Sequence, residues 1–140
     1  MSAPLTPFDR AYGALLALAV GDALGMPTSF MTPPEIQAAF GRIENFIAPL
    51  PGHRYHDGLK AAEVTDDTEQ SLALARSFIR HHRVDPADVV EELLAWARRV
   101  ENKYVSPFGP STERALRLAR EGVPYSQTGR EGDTNGAGMR

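Results

Sequence analysis

Thr65-Asp66-Asp67-Thr68-Glu69 sets two carboxylates side by side between two hydroxyls, directly ahead of an apolar-periodic segment running from Leu72 to Ile79. Adjacent carboxylates repel, and two environments offset that repulsion. One is the start of a helix, where free backbone N–H groups and the dipole favour negative charge; the other is a divalent cation that takes hard oxygen ligands. The two are compatible. Asp66 with Glu69 fits a capping box, and Leu72, Ala75, Phe78 and Ile79 then share one face of a helix predicted from about Asp66 to His82. A Thr-Asp-Asp-Thr run is a common way to begin a helix, so the choice between cap and metal site depends on the rest of the chain.

Three other groups of residues carry chemistry. Asp22 is the one charge within an otherwise apolar run from Ala11 onwards, which makes it either a carboxylate satisfied by a cap or an arginine, or a residue near a site. His53, Tyr55 and His56 lie with Lys60 and Glu63 in a segment, 42–64, punctuated by Pro49, Pro51, Gly52 and Gly58. A loop of that length leading into the acidic stretch favours function, while each histidine alone is ambiguous. Gly129 to Arg140 is a glycine-rich polar loop whose Asp133, Thr134, Asn135 and Gly136 suit a backbone wrapped round a polar ligand; a disordered tail has the same composition. Arg80-His81-His82-Arg83 reads as charge placed at a helix C-terminus.

The elements that position these groups read as helices. Pro7 to about Gly25 is apolar on every face, which predicts a helix at the centre of a bundle, with Gly13, Gly21 and Gly25 compensated by close backbone approach. The apolar stretch Ala11 to Val20 is too short for a bilayer, and a buried helix is the better account. Thr32-Pro33-Pro34-Glu35 opens a short helix that Gly41 stops. Asp85-Pro86 opens another, with Val89, Val90, Leu93, Leu94, Trp96 and Ala97 inside and Glu91, Glu92, Arg98 and Arg99 outside. Ser111 caps a fifth, Thr112 to Glu121, with Ala115, Leu116, Leu118 and Ala119 as its stripe and Gly122 as its end. No strand alternation or internal repeat appears, so the expected fold class is all-α, with five helices and two long loops.

The 140 residues suffice for one domain or part of one, and 42% hydrophobic with 24% charged residues is the balance of a soluble globular chain. Net charge is −3 with no basic block, which excludes an electrostatic footprint for nucleic acid. The absence of cysteine removes disulfides, thiolate nucleophiles and Cys-ligated zinc, and leaves a cytoplasmic location as the expectation.

Three stretches in order resemble the ADP-ribosylglycohydrolase family, which includes the enzyme that reactivates dinitrogenase reductase. Gly13-Ala-Leu-Leu-Ala-Leu-Ala-Val-Gly-Asp-Ala-Leu-Gly25 resembles its opening helix, Glu63-Val-Thr65-Asp66-Asp67-Thr68 its amino-terminal metal motif, and Gly132-Asp-Thr-Asn135-Gly136-Ala-Gly-Met139-Arg140 its substrate-side loop. The resemblance implies an all-α orthogonal bundle that holds two divalent cations, Mg2+ or Mn2+, in a cleft. Thr65, Asp66 and Asp67 inherit the role of metal ligands by position. Asp66 or Asp67 inherits that of catalytic base, and Asp133, Thr134, Asn135 and Gly136 contacts to the ribose and phosphate end of the ligand. The implied reaction is metal-dependent hydrolysis of an ADP-ribosyl or related N- or O-glycosidic bond, in which a fixed, acidified water meets developing oxocarbenium character.

The sequence departs from the family pattern in three places. A glutamate often found after the Gly-Asp-Ala-Leu-Gly segment is replaced by Pro27-Thr28-Ser29-Phe30, and an acidic residue expected before the fourth helix is absent from Ser106 to Thr112. Both changes point from an ADP-ribosylated protein towards a small ribosyl conjugate as substrate. Family chains run to about 250–300 residues in a single domain, with an Asp-x-Asp-Thr/Ser motif in their second half that has no counterpart here. Residues 1–140 are therefore expected to be the amino-terminal part of one such domain, weak or inactive alone, exposing apolar surface and suited to a complementary carboxy-terminal chain. Partners on nucleic acid or membrane are not expected. The alternative functions are a non-catalytic ADP-ribose- or nucleotide-binding regulatory module, and a helical interaction protein whose acidic residues are caps.

Overall fold

The computed structural model describes residues 4–101 and 108–132. Six α-helices run through them: α1 (Pro7–Gly25), α2 (Pro33–Phe40), α3 (Asp66–His81), α4 (Pro86–Val100), α5 (Pro110–Arg120) and the single turn α6 (Tyr125–Thr128). The described residues contain no strand, so the all-α expectation holds, and α6 is the one helix the periodicity did not predict.

The helix starts follow from local chemistry. Thr6 Oγ1 accepts the Asp9 N–H at 3.1 Å while Asp9 Oδ2 accepts the Thr6 N–H at 2.8 Å, a reciprocal cap that opens α1. Glu35 accepts both the N–H and the hydroxyl of Thr32 at 2.7 Å and opens α2, which Gly41 ends at φ 65°. Asp85 caps α4 by accepting the Asp88 N–H at 3.3 Å. Gly109, rather than Ser111, is the residue before the first turn of α5, so Ser111 lies inside that helix.

The core forms where α4 meets α5. Leu94, Trp96, Ala97, Val100 and Leu116 are buried together, with Val90, Leu93, Phe108 and Ala119 against them, and Phe108 meets the Trp96 ring edge-on at 5.2 Å. The α4 stripe is thus as its spacing predicts, with one correction. Glu92 is not on the outer face: α3 packs on α4, and Arg80 and Arg76 bond Glu92 at 2.6 and 3.1 Å.

Two larger corrections concern α1 and α3. In α3 the residues turned inward are Thr68, Gln70, Ser71, Ala73 and Ser77, while Phe78 and Ile79 are 51% and 70% exposed. The helix faces α4 with its small and polar side, because that side carries the partners for Asp88 and Glu92, and the apolar stripe is left uncovered. Helix α1 is likewise mostly exposed, with only Ala23 buried in it, and Gly13, Gly21 and Gly25 have no atom near enough to meet an added Cβ. The expected central burial and close backbone approach are absent here, whereas the expected apolar surface is present. With the 3₁₀ turn that follows, Pro7–Thr28 is one helical run long and apolar enough to cross a membrane by length and composition, contrary to the estimate from Ala11 to Val20 alone.

Candidate functional site

The carboxylate of Asp22, in the last turn of α1, reaches the amino end of α3 and makes four hydrogen bonds there. Oδ2 accepts the Thr65 N–H at 2.8 Å, the Thr68 N–H at 3.2 Å and the Thr68 hydroxyl at 2.6 Å; Oδ1 accepts the Thr65 hydroxyl at 2.7 Å. Thr65 and Thr68 are buried, and Asp22 is half-buried. Asp22 is therefore a carboxylate satisfied at a helix cap, and the same bonds set it beside Thr65, so the two readings its sequence position left open coincide.

This arrangement corrects the expected capping box. Thr65, not Asp66, is the N-cap residue, and its hydroxyl donates to Asp22 instead of accepting from the helix. Asp66 and Asp67 are the first two helical residues, where the dipole favours negative charge. Asp66 is half-buried and its Oδ2 accepts from Gln70 Nε2 at 3.3 Å; Asp67 is exposed, and its carbonyl accepts the Ser71 hydroxyl at 2.7 Å. The helix mouth thus presents one hydroxyl and two carboxylates, all hard oxygen donors. No group of three His, Cys, Asp or Glu side chains gathers as a metal site among the described residues.

The segment 42–64 folds as turns against the end of α1. His53 Nδ1 accepts the N–H groups of Tyr55 and His56 at 3.3 and 3.1 Å, and its Nε2 lies 3.2 Å from the Ser29 carbonyl, a pattern that fits an Nε2–H tautomer. The ring thereby ties the loop to the residue following the 3₁₀ turn. His56 stacks on His53 at 5.0 Å and is held below the ordinary imidazole range by burial and by the His53 ring, with the Asp22 charge opposing. Lys60 N–H donates to Glu63, and Ala62 has a φ of 67°, in the turn that leads into Thr65. Tyr55 carries Phe30 at 4.8 Å and the Arg54 guanidinium at 5.1 Å; Phe30 is an exposed aromatic at φ 65°, which periodicity gave no reason to single out.

Asp133, Thr134, Asn135 and Gly136 lie outside the described residues. The described chain approaches them at Gly132, where an added Cβ would stand 3.3 Å from the Gly129 carbonyl oxygen and 3.6 Å from Ser111 Cβ on α5. Arg80 and His81 lie in the last turn of α3, as expected of basic residues at a helix C-terminus, and also face Asp88; His82 ends the helix in the left-handed region.

Comparison with known proteins places this chain in a family. The ADP-ribosylglycohydrolase family model matches residues 3–140. The chain is 40% identical over 141 residues to the ADP-ribosyl-dinitrogen-reductase glycohydrolase of Rhodospirillum rubrum, covering 94% of this chain and 42% of that protein. It is 36% identical to the uncharacterized protein YegU of Escherichia coli (strain K12), over 94% of this chain and 40% of the relative. With ADP-ribosylarginine hydrolase Tri1 of Pseudomonas putida (strain GB-1) it shares 34% identity over 86% of this chain and 32% of the relative. The chain spans about two fifths of the length of the first two of these relatives. On a match that runs from residue 3 through the opening helix and the Thr65 helix mouth to residue 140, the chain belongs to the ADP-ribosylglycohydrolase family.

Proposed function

We propose that this chain supplies the cation-binding helix mouth of a site that hydrolyses the bond between ADP-ribose and its acceptor. The observation that carries the reading is the amino end of α3, where Asp22 anchors Thr65 and the next two residues are adjacent carboxylates. The relatives from R. rubrum and P. putida are named for hydrolysis of ADP-ribosylated dinitrogen reductase and ADP-ribosylarginine, which favours an ADP-ribosylated protein over a small ribosyl conjugate.

The donors fit a divalent cation in kind. A hydroxyl and two carboxylates suit Mg2+ or Mn2+, which take oxygen ligands, better than zinc or copper. They form part of a shell only, and for two cations the remaining ligands belong to further sequence of the domain. Bound there, such cations would acidify a water and hold ribose hydroxyls. The chain's own residues then have three tasks: Thr65 offers a neutral oxygen, Asp66 and Asp67 offer charge and a proton acceptor, and the loop from Asp133 to Gly136 contacts the ribose and phosphate.

The test is a Mn2+ titration of the chain against a Thr65→Ala, Asp66→Ala, Asp67→Ala triple variant, followed by an ADP-ribose release assay with the remaining domain segment supplied in trans. Saturable uptake by the wild type alone and release in the reconstituted mixture are expected. Equal uptake by both proteins removes the metal reading. Binding of ADP-ribose without release, even on reconstitution, replaces hydrolysis with a regulatory binding module.

A further inference from the structure

The reach of Asp22 exceeds what a cap requires. A helix start is served by a side chain that accepts one or two amides, and such acceptors are usually local in sequence. Here the acceptor lies 43 and 46 residues from its donors, on another helix, and takes two hydroxyl protons besides the two amides.

A threonine hydroxyl has one proton and two lone pairs. At 2.7 Å from Asp22 Oδ1 the Thr65 proton is committed inward, so the lone pairs are what the oxygen has left for anything else. A hydrogen bond donated to an anion also makes the oxygen a better electron donor, the same effect by which partners behind metal ligands orient and strengthen them. The Thr65 and Thr68 amides, held by Oδ2, fix the first turn from which Asp66 and Asp67 project.

We infer that Asp22 is a positioning residue for cation binding, acting through Thr65 by consuming its hydroxyl proton and through the first turn of α3 by holding its amides. This rests on the proposed cation-binding reading, and it adds a residue outside the Thr65–Asp67 triplet. An asparagine at this place has the same shape but a different code. Its oxygen can accept amides, whereas its NH2 group only donates, so the Thr65 hydroxyl must take up a proton with a lone pair or turn its own proton outward.

The experiment compares the wild type with Asp22→Asn and with Thr68→Val, which removes one donor to Asp22 and leaves Thr65 intact. Helicity and melting are followed by circular dichroism, and Mn2+ uptake by loss of the free-ion electron paramagnetic resonance signal. A folded Asp22→Asn protein is expected to lose about tenfold or more in Mn2+ affinity, the usual range for a partner behind a metal ligand, while Thr68→Val stays within about twofold. A folded Asp22→Asn protein with wild-type affinity overturns the inference and leaves the metal reading standing. A wild type that takes up no Mn2+ at millimolar concentration overturns the metal reading itself and the inference with it. Should Asp22→Asn fail to fold, the wild type carries the test: the Thr65 and Thr68 amide proton resonances, bonded to one carboxylate oxygen, shift together on Mg2+ addition, and unmoved resonances overturn the inference.

Discussion

Burial of His56 gives the molecule a pH dependence that can be read at one residue, and the Asp22 charge moderates it. In the folded chain, burial and the stacked His53 ring hold the His56 imidazole below its ordinary value of 6.5, and the Asp22 carboxylate works against them. The neutral ring is therefore the folded form, and the unfolded chain takes up a proton more readily. Stability from this group is complete above 6.5 and is lost as pH falls from there through the lowered folded value. Melting temperatures taken from pH 7.5 down to 5 should decline, and a His56→Gln protein should decline less; parallel curves for the two proteins would show that the ring contributes nothing. Replacing Asp22 with Asn should lower the His56 titration midpoint further, observed directly on the ring proton resonances, since the opposing charge is gone. Asp22→Ala is the more severe change. It leaves the Thr65 and Thr68 amides without their partner and should cost about 2–3 kcal/mol in urea unfolding, given roughly 1–3 kcal/mol for each buried donor left unmade and partial relief by water.

Between α3 and α4 the contact is electrostatic where the sequence promised an apolar stripe. Arg80 donates to both oxygens of Asp88 at 2.6 and 2.7 Å and to Glu92 at 2.6 Å, and Arg76 reaches the other oxygen of Glu92. The Ser77 hydroxyl and then Arg80 hold Asp88 below its ordinary 3.8; Arg80 and Arg76 hold Glu92 below 4.5. Both carboxylates contribute stability above those ordinary values, and the contribution is lost as pH falls through the lowered ones. Because Arg80 is half exposed, Arg80→Ala should destabilise the chain only slightly in urea unfolding, and less at high salt. Trp96→Ala, in the α4–α5 core, should cost about 3–5 kcal/mol in the same assay. The contrast shows what the chain disclosed beforehand and what it withheld. Caps, proline starts and glycine stops are local, so α1 to α4 began and ended close to where their residues placed them. Periodicity marks an apolar face but not which neighbour covers it, so the stripe of Leu72, Ala75, Phe78 and Ile79 gave α3 its helix and the wrong orientation. At the site, Thr65, Asp66 and Asp67 were legible as a helix mouth because acidic residues cluster there. The identity of the cap was not, since an acceptor 43 residues away leaves no local pattern. The same is true of His53, whose bond to Ser29 only the folded loop reveals.

At the scale of the whole molecule the uncovered apolar surface is the dominant feature. Phe8, Tyr12, Leu15, Leu16, Val20 and Leu24 on α1 are exposed, as are Leu72, Phe78 and Ile79 on α3, and these two helices pack on each other. Exposed apolar side chains of this number and size, carried by adjoining helices, act as an association surface. The run Pro7–Thr28 has the length and hydropathy of a membrane span, yet Asp22 sits within it, tied to Thr65 and Thr68 of a second helix. A span would have to bury that carboxylate together with its partners in lipid, which is costly and would strip α3 of its cap. Cover by protein, either further sequence of the domain or a second copy, meets both constraints. The surface should therefore drive self-association of the 140-residue chain in a way that depends on its apolar character and not on its fold. Leu16→Lys combined with Ile79→Lys places a charge on each helix at positions already 50% and 70% exposed, so helicity should be unchanged while the sedimentation coefficient falls to that of a monomer. The same double variant should lose productive association with the remaining domain segment in the reconstituted ADP-ribose release assay. A wild-type chain that sediments as a monomer at high concentration, or a double variant that associates as strongly as the wild type, would show that these faces are not what the chain uses to find its cover.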